Sequence, residues 1–357
     1  KLRDKMIDGL KTYGKEDINK KLQGKTPVFI CTIATTDTSK IHGISGAGAS
    51  EELNMYTPAA DVEIMKYGKP HCMKEIPETV SEGDSAPTPS MLTKSCLDLT
   101  GTDLKVVDAG CEIRPDLDCY TLSDSYGKDI STGKGVDNPR EIYEQGLKIG
   151  KELSKEYDYL VIGESIAAGT TTALGILKAL GYDAEFKVSG SMPYNPHELK
   201  LETVNKGLKN ANITPGKVDV FDAIAAVGDP MMPAVAGMTI GSDVPVVLAS
   251  GTQMAGVCAV IKAIKPDFDF TNITIATTIY VANDETADIF YITKQISDDI
   301  VINVVDPKFE TSNHGGLKNY LTGFVKEGAG AGGAMYMSLM EGKNINEILN
   351  AIVKTFS

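Results

Sequence analysis

Val161-Ile162-Gly163-Glu164-Ser165-Ile166-Ala167-Ala168-Gly169-Thr170-Thr171-Thr172-Ala173 is the stretch on which the reading of the fold turns. The apolar run at 157–162 has the length of a buried strand, and the run at 173–180 reads as a helix. A strand that ends in a glutamate and passes through a short turn into a helix is half of a βαβ unit. Glu164 then stands at the carboxyl end of the strand, and Thr170, Thr171 and Thr172 lie near a helix N-terminus. Unpaired N–H groups, the helix dipole and hydroxyls together suit an anion there. Simple capping by Thr170 or Thr171 explains one threonine well and three threonines plus Glu164 less well.

Outward from this stretch, strand-like runs at 27–34, 104–107, 159–162, 184–188, 218–226, 244–248, 273–277 and 300–304 alternate with helix-like ones such as 139–155 and 253–264. Such alternation predicts an α/β fold, a mostly parallel Rossmann-like sheet with helices on both faces. Ligands of such folds bind at the carboxyl ends of the strands. The segment 223–240, broken by Gly228-Asp229-Pro230 and Pro233, suits a buried strand, a turn and a helix. Residues 75–89, rich in Glu, Ser, Pro and Thr, read as an exposed loop. The charged start of the chain, 1–21, reads as helical, as do 333–341 and 345–356. Residues 1–25 with 334–357 are therefore expected to form a small helical subdomain beside an α/β domain of 26–333.

Lys and Arg number 35 against 48 Asp and Glu, a formal charge of −13, which argues against nucleic acid as a partner. A small anion needs only a local positive site. The 6 cysteines, at 31, 72, 96, 111, 119 and 258, form neither a CxxC pair nor a zinc spacing, and read as reduced, mostly buried thiols of a cytoplasmic protein. No segment has the length and purity of a membrane span, so no membrane partner is expected. The four histidines, at 42, 71, 197 and 314, are scattered, so no metal site is expected. The stretch 127–135 has the wrong spacing for a phosphate loop, 163–170 lacks its lysine, and Gly43-Ile44-Ser45-Gly46 fails as a nucleophile elbow because Ala47 displaces the glycine.

Glu327-Gly328-Ala329-Gly330-Ala331-Gly332-Gly333 is a carboxylate followed by a stretch with almost no side chains. Glycine lets a ligand approach the backbone closely, and a carboxylate beside such a surface can lose water and act as a general base. A helix–helix junction with a solvated glutamate fits the same run.

The order and spacing of these sites resemble the nicotinate-nucleotide:dimethylbenzimidazole phosphoribosyltransferase family, in its archaeal-type branch, from about Asp108 to the C-terminus. Gly163-Glu164 with Gly169-Thr170-Thr171 is similar to that family's nucleotide-binding Gly-Glu…Asn-Thr-Thr, with Gly169 in place of Asn. Lys200 stands where the family has a helix lysine near the substrate phosphate. Gly228-Asp229 through Ala236-Gly237 resembles its Gly-rich segment. Ser250-Gly251, after the run beginning at Val244, resembles its Pro-Val-x-Leu-Asp-Gly without the Asp. Glu327-Gly328-Ala329-Gly330-Ala331 resembles its Gly-Glu-Gly-Thr-Gly-Ala, whose glutamate is the catalytic base. The first hundred residues match poorly. His42, Ser45, Gly46 and Gly48 are the counterpart of a base-binding loop, or belong to a surface loop.

The resemblance implies that nicotinate mononucleotide binds as a substrate, its phosphate at Thr170–Thr172 and near Lys200, and that no cofactor is needed. It implies that Glu327 takes a proton from a benzimidazole-type acceptor while Glu164 stabilises the ribose. The products would be α-ribazole phosphate and nicotinate, and the assembly a homodimer. Transfer to another azole or a purine, and a non-catalytic nucleotide-binding relative, are the competing readings.

Overall fold

Strand 159–165 is buried along its whole length, and its side chains alternate between two apolar layers. Leu160 and Ile162 face one layer, and Tyr159 and Val161 the other. The same alternation runs through 27–34, where Val28 and Ile30 oppose Phe29 and Cys31. Burial on both faces is what a parallel sheet covered by helices on each side requires. The structure is a computed structural model that describes residues 6–15, 17–81, 83–325 and 328–357.

The strands are β1 (Leu10–Tyr13), β2 (Pro27–Ala34), β3 (Glu78–Ser81), β4 (Asp84–Pro87), β5 (Asp103–Gly110), β6 (Tyr120–Thr121), β7 (Tyr159–Ser165), β8 (Val246–Ala249), β9 (Ile273–Thr278) and β10 (Val301–Val305). Eight form one sheet in the order β1-β10-β9-β8-β7-β2-β5-β6, and β3 pairs with β4 in a separate hairpin. Every pairing in the large sheet is parallel except β1 with β10. The chain steps from β2 to β5 and β6 on one side, then returns to place β7 on the other side of β2. The strand order therefore reverses between β2 and β7. A crevice opens at such a switch point, outside the carboxyl ends of the strands.

Helices Pro139–Leu153, Gly169–Ala179, Met231–Gly241 and Thr252–Ile264 cover one face of the sheet. Helices Thr57–Tyr67, Ser90–Thr100, Ala331–Met340 and Ile345–Phe356 cover the other. The mostly parallel α/β sheet expected from the alternation is present.

Several elements differ from expectation. Residues 218–226 are not a strand: Asp219 accepts hydrogen bonds from the Phe221 and Asp222 amides at 3.0 and 3.4 Å and starts the helix Val220–Val227. The capping aspartate outweighs the apolar content. The segment 223–240 is accordingly helix, turn and helix. Residues 184–188 form a turn in which Ala184 and Val188 are buried singly and Phe186 takes φ 62°. The region 75–89 contains the β3–β4 hairpin.

The start of the chain is not one helix. β1 joins the large sheet, and the short helix Asp17–Leu22 follows it. Nor do the termini form a separate subdomain. Helix Ala331–Met340 is buried at every position between the sheet and the outer helices, which its small residues permit. Asn303 on β10 accepts from Thr12 Oγ1 at 2.7 Å and donates to Asn19 at 3.0 Å, and Tyr336 Oη donates to Asn19 Oδ1 at 2.6 Å. The termini do meet, through this buried polar network on the sheet.

Candidate active site at the carboxyl ends of the central strands

The crevice at the switch point is a cleft lined by the end of β7 with the turn after it, the loop 189–191, Val325 with Gly328 and Ala329, Gly251 and Gln253 after β8, Val281, Asp61 on the helix Thr57–Tyr67, and the N-terminal loops around Ser45 and Thr88. Strand alternation divides the end of β7 between two walls. Glu164 lies on the side of the Gly169–Ala179 helix, and Ser165 on the side of Ala331–Met340. Glu164 is 1% exposed, and Ser250 Oγ, just past β8, donates to its Oε1 at 2.7 Å. Ser165 Oγ donates to Asp61 Oδ2 at 2.7 Å.

The turn after β7 closes through Ala168, whose φ of 65° is left-handed, and the helix begins at Gly169. Gly169 and Thr170 line the cleft, and Thr170 is half-buried. First-turn N–H groups have no partner within their own helix, so this end offers donors to an anion. Thr172 does not: it is buried and its hydroxyl donates to Asp229 Oδ2 at 2.5 Å. Asp229 Oδ1 accepts from the Met231 and Met232 amides at 2.9 and 3.3 Å. Gly228 and Asp229 are thus a brace behind the cleft that joins two helix starts, and neither lines it. Burial pushes the Asp229 carboxyl up to about 6 against the opposing pull of these hydrogen bonds. Thr171 is also outside the lining. Its buried hydroxyl, like that of Ser189, has no hydrogen-bond partner among the described residues.

Lys200 is 1% exposed and stands behind the wall. Its ammonium donates to the Ser189 carbonyl at 2.7 Å and to Asn195 Oδ1 at 2.8 Å. Ser189 and Gly190 line the cleft in front of it. No Lys, Arg or His lines the cleft among the described residues. What the cleft offers an anion is the backbone N–H groups at the Gly169 helix start, with the Lys200 ammonium behind Ser189.

Gly251 lines the cleft, as do Val325, Gly328 and Ala329. Glu327 lies outside the described residues. Val325 and Ala329 have φ of 59° and 52°, so three of the six non-glycine residues with positive φ among the described residues line this one cleft. Backbone strain of this kind concentrates at functional sites. Gly163 and Gly330 do not line the cleft; they touch each other beneath it.

In the N-terminal loop, Ser45 and Ala47 line the cleft. The Gly46 amide donates to Ser191 Oγ at 3.0 Å, and Gly46 O accepts from Thr79 Oγ1 at 2.6 Å, which joins loop, hairpin and the 189–191 wall. The Gly48 amide donates to Asn54 Oδ1 at 2.7 Å and shapes the loop from behind. His42 is not at the site: its side chain is 97% exposed and contacts Glu51 at 2.9 Å.

Sequence reasoning missed Asp61, Thr88, Ser189 and Gln253, all of which line the cleft. Asp61 alone had a visible signal, a carboxylate within the apolar run Ala59-Ala60-Asp61-Val62. Its carboxyl, 3% exposed, accepts from Thr88 Oγ1 at 2.7 Å as well as from Ser165. Burial raises it to about 6, against the hydrogen bonds that favour its charge. Burial also pushes the Cys31 thiol well up, and the nearby charges of Asp61 and Glu164 add to this. Groups of His, Cys, Asp and Glu able to hold a metal ion are absent among the described residues. No helix among them is long and apolar enough to cross a membrane.

A cleft at the switch point of a mostly parallel sheet, with a buried glutamate at a strand end and a helix start beside it, marks the candidate site of an α/β protein. Solved structures share the architecture. Nicotinate-nucleotide-dimethylbenzimidazole phosphoribosyltransferase from Thermus thermophilus superposes with a TM-score of 0.59 at 15% identity, covering 94% of this chain and 88% of that one. A structure of CobT from the same organism gives 0.56 at 16% identity, covering 94% and 89%. The fold is the one these phosphoribosyltransferases have.

The chain belongs to the UPF0284 protein family. It is 52% identical to the UPF0284 protein of Methanothermobacter thermautotrophicus over 357 residues, covering 98% of this chain and 99% of that one. It is 43% identical to that of Methanosarcina mazei over 319 residues (88% and 89%), and 39% identical to that of Sulfolobus acidocaldarius over 330 residues (92% and 94%). No family model matches the chain.

Proposed function

We propose that this protein transfers phosphoribosyl from nicotinate mononucleotide to a benzimidazole-type base, giving α-ribazole phosphate and nicotinate. The observation that carries the reading is Glu164, held by Ser250 at the end of the central strand beside the Gly169 helix start. The nucleotide phosphate sits on the N–H groups of Gly169 and Thr170, near the Ser189 hydroxyl, with Lys200 behind. The bond from the ribose anomeric carbon to the nicotinate nitrogen breaks as an azole nitrogen attacks from the opposite face. Nicotinate departs from a pyridinium and needs no acid. Charge develops on the ribose as in other glycosyl transfers, and Glu164 stabilises it. The azole's second nitrogen loses its proton to Glu327, whose neighbours Val325 and Gly328 line the cleft. Holding two planar substrates in line supplies much of the remaining acceleration.

No cofactor enters this scheme. A homodimer is the assembly expected from the family resemblance, and sedimentation velocity checks it. The deciding experiment follows nicotinate release from nicotinate mononucleotide with and without 5,6-dimethylbenzimidazole, and separates the products by chromatography. Base-dependent release with a matching ribazole phosphate peak supports transfer. Nucleotide binding without release, across a panel of azoles, points to a non-catalytic relative.

A further inference from the structure

Asp61 and Glu164 are the two acidic side chains that line the cleft among the described residues, and the transfer scheme uses only Glu164. Asp61 sits in a helix buried at every position from Thr57 to Met65. A carboxylate is costly to place there unless partners hold it. Thr88 and Ser165 each donate one hydroxyl at 2.7 Å, one to each oxygen, and the Ser90 hydroxyl donates in turn to Thr88 Oγ1 at 3.3 Å. Thr88 and Ser165 line the cleft as well. An ionised carboxylate accepts about four hydrogen bonds, so these hydroxyls fix the orientation of the group and still leave acceptor capacity on it.

Asp61 is tied through Thr88 to the loop at 88–89. Thr88 is followed by Pro89, whose Cγ lies 3.4 Å from where a Gly328 Cβ would stand. Asp61 therefore belongs to the wall built from 88–89 and 328–329, the segment that follows Glu327. The remaining surface includes the apolar Ile44, Val281 and Val325, suited to the faces of a planar ring. Asp61 is the acidic side chain on this wall, held beside the hydroxyls of Thr88 and Ser165.

Resting on the phosphoribosyl-transfer reading, we propose that Asp61 determines acceptor specificity, receiving a hydrogen bond from a hydroxyl or amino group on the ring of an azole or purine. An acceptor with only methyl groups in that place expels water from the carboxylate and leaves its remaining acceptor capacity unfilled. Sites built to bond a donor discriminate strongly against analogues that lack it.

The test uses the full chain, three bases (5-hydroxybenzimidazole, adenine and 5,6-dimethylbenzimidazole) and two readouts: direct binding of each base, and kcat and KM with nicotinate mononucleotide. The expected result is that at least one donor-bearing base binds about tenfold or more tightly than the dimethyl base. Asp61→Asn should raise the KM of that base about tenfold, and leave the nucleotide KM and the dimethyl base within about threefold. Tightest binding of the dimethyl base, or an equal loss for all bases and the nucleotide, overturns the assignment. Should Asp61→Asn fail to fold, the ranking of the three bases on the unaltered chain decides. Absence of nicotinate release with every base defeats the transfer reading, whereas the binding ranking still tests Asp61.

Discussion

Gly163 and Gly330 lie in backbone contact: a Cβ on Gly163 would stand 2.9 Å from Gly330 Cα, and one on Gly330 would stand 3.0 Å from Gly163 Cα and 2.6 Å from Phe29 Cζ. This contact seats the end of β7, one residue before Glu164, against the start of the Ala331–Met340 helix. It brings together two segments of the chain that the proposed chemistry needs side by side. Gly330 also has φ +73°, which L side chains rarely adopt.

Gly330→Ala should therefore destabilise the fold by about 2–4 kcal/mol, combining left-handed strain with overpacking. Urea unfolding measures it. A loss below about 0.5 kcal/mol would mean that β7 and the helix separate readily.

Ser250→Ala removes the hydroxyl that donates to the buried Glu164. Turnover should fall about tenfold and stability by about 1–2 kcal/mol. Glu164→Gln should cost turnover more than Ser250→Ala, since it removes the charge itself. Steady-state kinetics on the two variants checks the order, and equal effects would count against a charge role for Glu164.

Glu327→Gln should lower turnover by about 10² or more and leave nucleotide binding nearly intact. Isothermal titration with nicotinate mononucleotide, set beside kcat, separates the two effects. An unchanged rate removes Glu327 from the base role.

Lys200→Ala leaves the Ser189 carbonyl and Asn195 without their ammonium donor. The nucleotide KM should rise about tenfold or more with a smaller change in kcat. An unaltered KM would place the phosphate away from the 189–191 wall.

The Asp229 carboxyl is raised from 3.8 to about 6 in the folded protein, with burial as the main cause. Between those two values the native state holds a proton that the unfolded chain has released. Its contribution to stability is full below about pH 4 and is lost as pH rises through about 6. Asp229→Asn should flatten the pH dependence of the unfolding free energy between about pH 4 and 7 relative to the parent. Parallel curves for the two proteins would show that Asp229 stays ionised in the fold.

The βαβ half around Gly163-Glu164 is legible in the sequence because its signals are local: an apolar run, a turn and a helix start in close succession. The misreading of 218–226 is local too, since apolar residues suit strand and buried helix alike and the cap at Asp219 decides between them. Asp61 is not legible as a site residue, because its partners Thr88 and Ser165 are 27 and 104 residues away. His42 and Thr172 are plausible by motif, yet one points to solvent and the other braces Asp229.

By itself, the sequence determined the class of fold and the placement of Glu164 at a strand end, because hydrophobic periodicity and turn residues act over short spans. Only the tertiary structure decided which polar groups share the cleft, that β1 and the last helices complete the sheet layers, and that Lys200 stands behind the wall. Those outcomes depend on which distant segments bury one another, and burial is a property of the assembled layers rather than of any one stretch of chain.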